Sequence, residues 1–100
     1  MVFEWDENKN NKNIIKHGIA FKEAMEIFDD PFQSSVIDRR FGYNEERWIT
    51  IGTTKKGNII VVAHLYFIKN LTDEVIRIIS ARKATKKEMT DYGTIRWRRF

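Results

Sequence analysis

One hundred residues, 42% apolar with one proline and five glycines, fit a chain that folds around one core, and a single domain over residues 1–100 is predicted. The absence of cysteine excludes disulfides, thiol catalysis and thiolate metal sites, the ten-residue apolar stretch Ile59–Ile68 is about half of a membrane span, and Met1-Val2-Phe3-Glu4-Trp5-Asp6 lacks the regions of a secretory signal, so a cytoplasmic protein without a membrane partner is predicted. The net charge of +4 is a tail property: residues 1–81 carry eleven Lys and Arg against twelve Asp and Glu, and residues 82–100 carry seven against two, as in a polyanion-binding surface or a solubilising helix face.

After the short apolar start at Phe3 and Trp5, Asp6 is a candidate N-cap, Lys16 and His17 suit a helix carboxyl end, and Gly18 suits a left-handed cap. A first helix is therefore expected over Glu7–His17, with Asn13, Ile14 and His17 close on one side. A second, over Phe21–Phe28, sets Phe21, Ala24, Met25 and Phe28 in a core-facing stripe before Asp29-Asp30-Pro31 breaks it.

From there the period changes. Segments near Ser34–Arg39, Arg47–Thr53, Asn58–Ile68 and Glu74–Ser80 are rich in Val, Ile, Thr and aromatics, with breaks at Gly42-Tyr43-Asn44, Lys55-Lys56-Gly57-Asn58 and Lys69-Asn70. Short breaks predict antiparallel neighbours, hence an α+β fold: a four-stranded antiparallel sheet with two N-terminal helices on one face. A C-terminal helix over about Ala84–Tyr92, ending at Gly93, buries Met89 and Tyr92, and residues 94–100 receive no assignment.

The last strand, Val75-Ile76-Arg77-Ile78-Ile79-Ser80-Ala81, carries an arginine in its middle and empties into the basic run Arg82-Lys83-Ala84-Thr85-Lys86-Lys87-Glu88, read as the start of that helix. A cation among β-branched residues requires a groove, an anion or an ion-pair partner.

The pieces Trp5-Asp6-Glu7-Asn8-Lys9, Lys16-His17-Gly18-Ile19-Ala20-Phe21, Ile27-Phe28-Asp29-Asp30-Pro31, Glu46-Arg47-Trp48 with Ile51-Gly52, and Ile76-Arg77-Ile78-Ile79-Ser80-Ala81-Arg82-Lys83-Ala84-Thr85 follow one another in an order and spacing that resembles the BrnT-type toxins of bacterial type II toxin–antitoxin systems, across residues 3–92. The resemblance implies a RelE-like fold, an endoribonuclease that halts translation, RNA as substrate, and a cognate antitoxin protein as partner, with promoter DNA reached only through the antitoxin complex. Two features depart from it. The connection from Tyr66 through Asp73 is longer than the family's and lacks an arginine, a contact Lys69 could replace, and the tail Arg96-Trp97-Arg98-Arg99-Phe100 could extend an RNA surface or dock a partner.

Metal-free RNA cleavage needs groups that bind the strand, hold the 2′-hydroxyl in line and stabilise charge on the phosphate. Arg77 and Arg82 suit this because a guanidinium stays charged and grips two oxygens; the same permanence excludes them as the base. Their structural alternatives are an ion pair with a carboxylate such as Glu46 for Arg77 and a helix-start surface charge for Arg82. His17 is a proton-transfer candidate and Lys16 a phosphate ligand or acid, although adjacent helical residues diverge by about 100°, so one serves the site while the other packs or caps.

Glu46 and Arg47 are RNA-binding candidates of which at most one faces the site, since consecutive strand residues alternate. Lys83 and Lys86 add phosphate contacts, and Tyr92 either stacks on a base or packs the last helix. His64, within an apolar strand, reads as a core residue. Only two histidines, no metal-ligand spacing and no phosphate loop predict cofactor-free chemistry that survives EDTA. A non-catalytic module binding nucleic acid or a protein partner through the basic carboxyl end is the competing class, and a chain whose exposed residues serve only assembly is a third.

Overall fold

The computed structural model describes residues 1–39 and 46–98. In chain order these form β1 (Val2–Glu4), α1 (Glu7–His17), α2 (Phe21–Ala24) continued by a 3-10 turn over Met25–Asp29, β2 (Ser34–Ile37), β3 (Arg47–Thr53), β4 (Ile59–Lys69), β5 (Asp73–Lys83) and α3 (Lys86–Arg98). The expected break at Gly42-Tyr43-Asn44 and the end of the tail, Arg99 and Phe100, lie outside the described residues.

The α+β class holds, with a different sheet. It has five strands in the order β1-β5-β4-β3-β2, and it is mixed: β1 pairs parallel to β5, setting Val2, Phe3 and Glu4 opposite Val75, Ile76 and Arg77. Three residues are too few to display a period of two, and a parallel pair has no hairpin turn to mark it. β2, β3, β4 and β5 form the expected antiparallel meander.

Three further boundaries move. The second helix tightens to 3-10 geometry after Ala24, β5 runs on through Arg82 and Lys83, and α3 starts later and passes through Gly93 to Arg98. The long connection from Tyr66 to Asp73 is an extended hairpin, paired out to Lys69 opposite Asp73, whose turn holds Asn70 and Leu71 at φ 53 and 69.

The first helix is built as its caps require. Asp6 accepts from the backbone N–H groups of Asn8 and Lys9 at 2.8 and 3.2 Å, and Gly18, at φ 70, closes the other end. α1 is held largely by polar contacts: Asn10 accepts from Phe21 N–H at 2.8 Å, and buried Asn13 reaches the edge of β5. Beside it Phe21, Ala24 and Ile27 seal against Ile60, Val62 and Ile76 on one sheet face, and full burial of Phe21 and Ile27 stabilises by about 2 kcal/mol each. Gly52 lets this layer approach, because a Cβ there would lie 2.8 Å from Ile27 Cβ.

Candidate active site

Arg77 and Arg82 are five residues apart, an odd spacing that in a regular strand sends side chains to opposite faces. A bulge cancels this. Between Ala63 and His64 the β4–β5 register shifts, so that Ala63 faces Ser80 whereas His64 faces Ile78, leaving Ile79 as the extra residue. Arg77 then stands opposite Leu65 and Arg82 opposite Val61, residues of one parity on β4. Both guanidinium groups belong to the sheet face turned away from α2, with half-buried Ile49, Ile51 and Leu65, and the bulge also returns Ala81 to the core on the other face. Val61 and Leu65 are four steps apart on β4, which sets the two rows about 13 Å apart along the strand.

Each arginine meets a carboxylate. Arg77 Nη1 lies 3.3 Å from Glu4 Oε1 across the β1–β5 pair, and Arg82 grips Glu88 with both terminal nitrogens at 2.7 and 2.9 Å. Bonding to Arg82, ahead of bonding to Thr85, brings the Glu88 carboxyl down to about 2. The arginine side chains remain 42% and 43% exposed. Glu88 has a second task as a capping box: it accepts from Thr85 N–H at 2.8 Å while its own N–H donates to Thr85 Oγ1 at 3.1 Å. The start of α3 thus carries the carboxylate that orients Arg82.

His17 and Lys16 end α1. Asn13, one turn earlier, donates to Ala81 O at 2.9 Å and accepts from Ala81 N–H at 3.1 Å, so the last turn of α1 stands beside the end of β5 that carries Arg82. His17 is half-buried, and it lies four residues after Asn13, on the same side of the helix; Lys16 is exposed.

The remaining candidates separate. Arg47 shares the face and row of Arg77 through Leu65, yet its Nε lies 3.7 Å from the buried carboxylate of Asp38. Glu46 is divided from it as strand alternation requires, accepting from the Trp48 indole at 3.4 Å on the helix side. Exposed Lys83 stands opposite Ile60, also toward the helix side, and Lys86 is exposed in the first turn of α3. Tyr92 is 2% exposed; its hydroxyl bonds Thr53 Oγ1 at 2.8 Å and donates to Asp30, whose carboxylate also accepts from Thr53 N–H at 2.8 Å. Burial withdraws Tyr92 from base stacking and makes it the pin of α3.

His64 is the core residue expected. It is 4% exposed, accepts or donates at Thr50 Oγ1 over 2.7 Å, and burial pushes its pKa below the usual imidazole value. Sequence reasoning missed Glu4, because its strand was missed, and gave Asn13 no polar role. Glu88 carried a readable signal in Thr85-Lys86-Lys87-Glu88, a capping-box pattern. Among the described residues no three His, Asp or Glu side chains gather where a metal ion could sit, and no helix is long and apolar enough to cross a membrane.

The family model described as "Ribonuclease toxin, BrnT, of type II toxin-antitoxin system" matches residues 5–88. The fold is similar to that of the 1.1 Å crystal structure of the Brucella abortus ribonuclease toxin, BrnT, with TM-score 0.55 and 25% sequence identity over 86% of this chain and 100% of that one. No curated protein matches the chain.

Proposed function

From the BrnT family of type II toxin–antitoxin ribonuclease toxins, to which this chain belongs, we propose that it is an endoribonuclease whose RNA lies along the arginine face of β5. The observation that carries this reading is the bulge at Ile79, which turns Arg77 and Arg82 to one side of the sheet. A bulge that re-aims two side chains at the price of ladder hydrogen bonds is the kind of irregularity found beside active sites.

Arg82 takes the scissile phosphate, and Arg77, about 13 Å along the strand, a neighbouring phosphate of the same RNA chain. Glu88 and Glu4 keep the guanidinium groups extended until RNA arrives. A phosphodiester accepts two parallel hydrogen bonds from a guanidinium as a carboxylate does, and so takes the carboxylate's place. The ribose 2′-hydroxyl attacks the adjacent phosphorus as its proton is removed, Arg82 stabilises the charge on the phosphoryl oxygens, and the 5′-oxygen leaves, taking a proton from solvent water to become the 5′-hydroxyl. Glu88 stays committed to the cap of α3 at Thr85, and half-buried His17 takes the hydroxyl proton, while exposed Lys16 is left to the helix end. No metal enters the mechanism.

The cognate antitoxin covers this face with acidic or carbonyl-rich segments, and promoter DNA is reached only through that complex. Two helices on one face of a sheet and cations on the other also suit a RelE-like kinship. Pairing of both arginines with carboxylates favours one rival reading, a non-catalytic module. Inducing the chain alone in bacteria separates them: growth arrest with RNA fragments carrying a 2′,3′-cyclic or 3′-phosphate and a 5′-hydroxyl, unaffected by EDTA in the purified reaction, supports the nuclease. Intact RNA and normal growth support the module, and 5′-phosphate ends imply activated water.

A further inference from the structure

On the face opposite the arginines, beyond the reach of α2, lies a cavity of about 270 Å³ whose walls include Phe28, Trp48, His64, Tyr66 and Ile76. Phe28 stands edge-on to the His64 ring at 5.0 Å, and His64 is fixed from behind through Thr50 and Ser35, whose hydroxyls are 2.6 Å apart. Two of its wall residues are hydrogen-bonded to carboxylates. Glu46 accepts from the Trp48 indole at 3.4 Å and Glu74 from the Tyr66 hydroxyl at 2.7 Å. Hydrogen bonding to Glu74, then desolvation and the charges of Glu74 and Glu46, raises the Tyr66 pKa. Among the described residues neither carboxylate forms an ion pair.

We propose that this cavity is a docking slot for one arginine side chain presented by a polypeptide partner. An aromatic wall binds a planar cation through its π face, and a guanidinium couples that stacking to a forked hydrogen bond with a carboxylate. The volume lies near the lower end of the range of small-molecule pockets, which begins at about 300 Å³. Charge disfavours the obvious rival, because Glu46 and Glu74 repel the phosphate of a nucleotide whose base would otherwise stack on Trp48. The slot stands apart from the arginine face and does not depend on RNA cleavage.

The test uses the intact chain labelled with nitrogen-15 and follows the Trp48 indole N–H, assigned with Trp48→Phe, during titration with acetyl-arginine-amide, acetyl-citrulline-amide or adenosine monophosphate. Acetyl-arginine-amide is expected to give a saturable shift, with binding about tenfold weaker for the neutral citrulline analogue and about tenfold weaker for Glu46→Gln/Glu74→Gln, both exposed substitutions that leave the core intact. No saturable shift with arginine, or equal affinity for citrulline, overturns the proposal. Tighter binding of the monophosphate overturns it in favour of a nucleotide slot.

Discussion

Asn13 shows how one polar side chain can complete a sheet. Beyond Arg77 the edge of β5 has no β1 residue beside it, and Asn13 supplies a donor to Ala81 O, a donor to Ile19 O at 2.8 Å and an acceptor for Ala81 N–H. Asn13→Ala strands these buried backbone groups and is expected to cost about 3 kcal/mol in urea unfolding, with an unchanged m-value. His64 gives a second prediction. Burial holds it neutral, so the unfolded chain takes up the proton first and stability falls as pH drops below about 6.5. Thermal midpoints measured between about pH 7 and 5 should decline for the wild type and decline less for His64→Gln. The sequence marks His64 as a core residue because its neighbours are apolar; it does not mark Asn13, since an asparagine facing solvent and one facing a sheet edge read alike.

At the scale of elements, what could be read locally was local in its physics. The caps of α1 rest on contacts within a few residues, and β3 spans the Arg47–Thr53 of its alternation. β1 and the bulge at Ile79 are products of pairing between distant segments, which no window of sequence displays. The site shares this division: Arg77 and Arg82 stand out by type, while their common face and their partners Glu4 and Glu88 follow from register and from the capping box. The β4–β5 turn carries an avoidable cost, because Leu71, 96% exposed, sits at φ 69. Leu71→Gly is expected to raise stability by about 1 kcal/mol, read as a shift of the denaturation midpoint.

For the molecule as a whole, the sheet separates two chemistries. One face carries Arg77 and Arg82 with half-buried apolar residues, the other an aromatic cavity whose Trp48 and Tyr66 are bonded to Glu46 and Glu74. The net charge of +4 therefore understates how polarised the chain is. If Arg77 holds a phosphate, Arg77→Ala should lower the slope of log affinity against log salt by about 0.7 for single-stranded RNA, with cleavage of bound RNA nearly intact. Arg82 has the other share: Arg82→Ala should lower kcat about 100-fold or more with KM little changed, as expected for a group that stabilises charge formed in the transition state. The decisive measurement is therefore single-turnover cleavage of a saturating RNA by purified, folded Arg82→Ala beside the wild type. Wild-type cleavage with a loss of that size in the variant is what the account predicts. An Arg82→Ala protein that cleaves as fast as the wild type would contradict it.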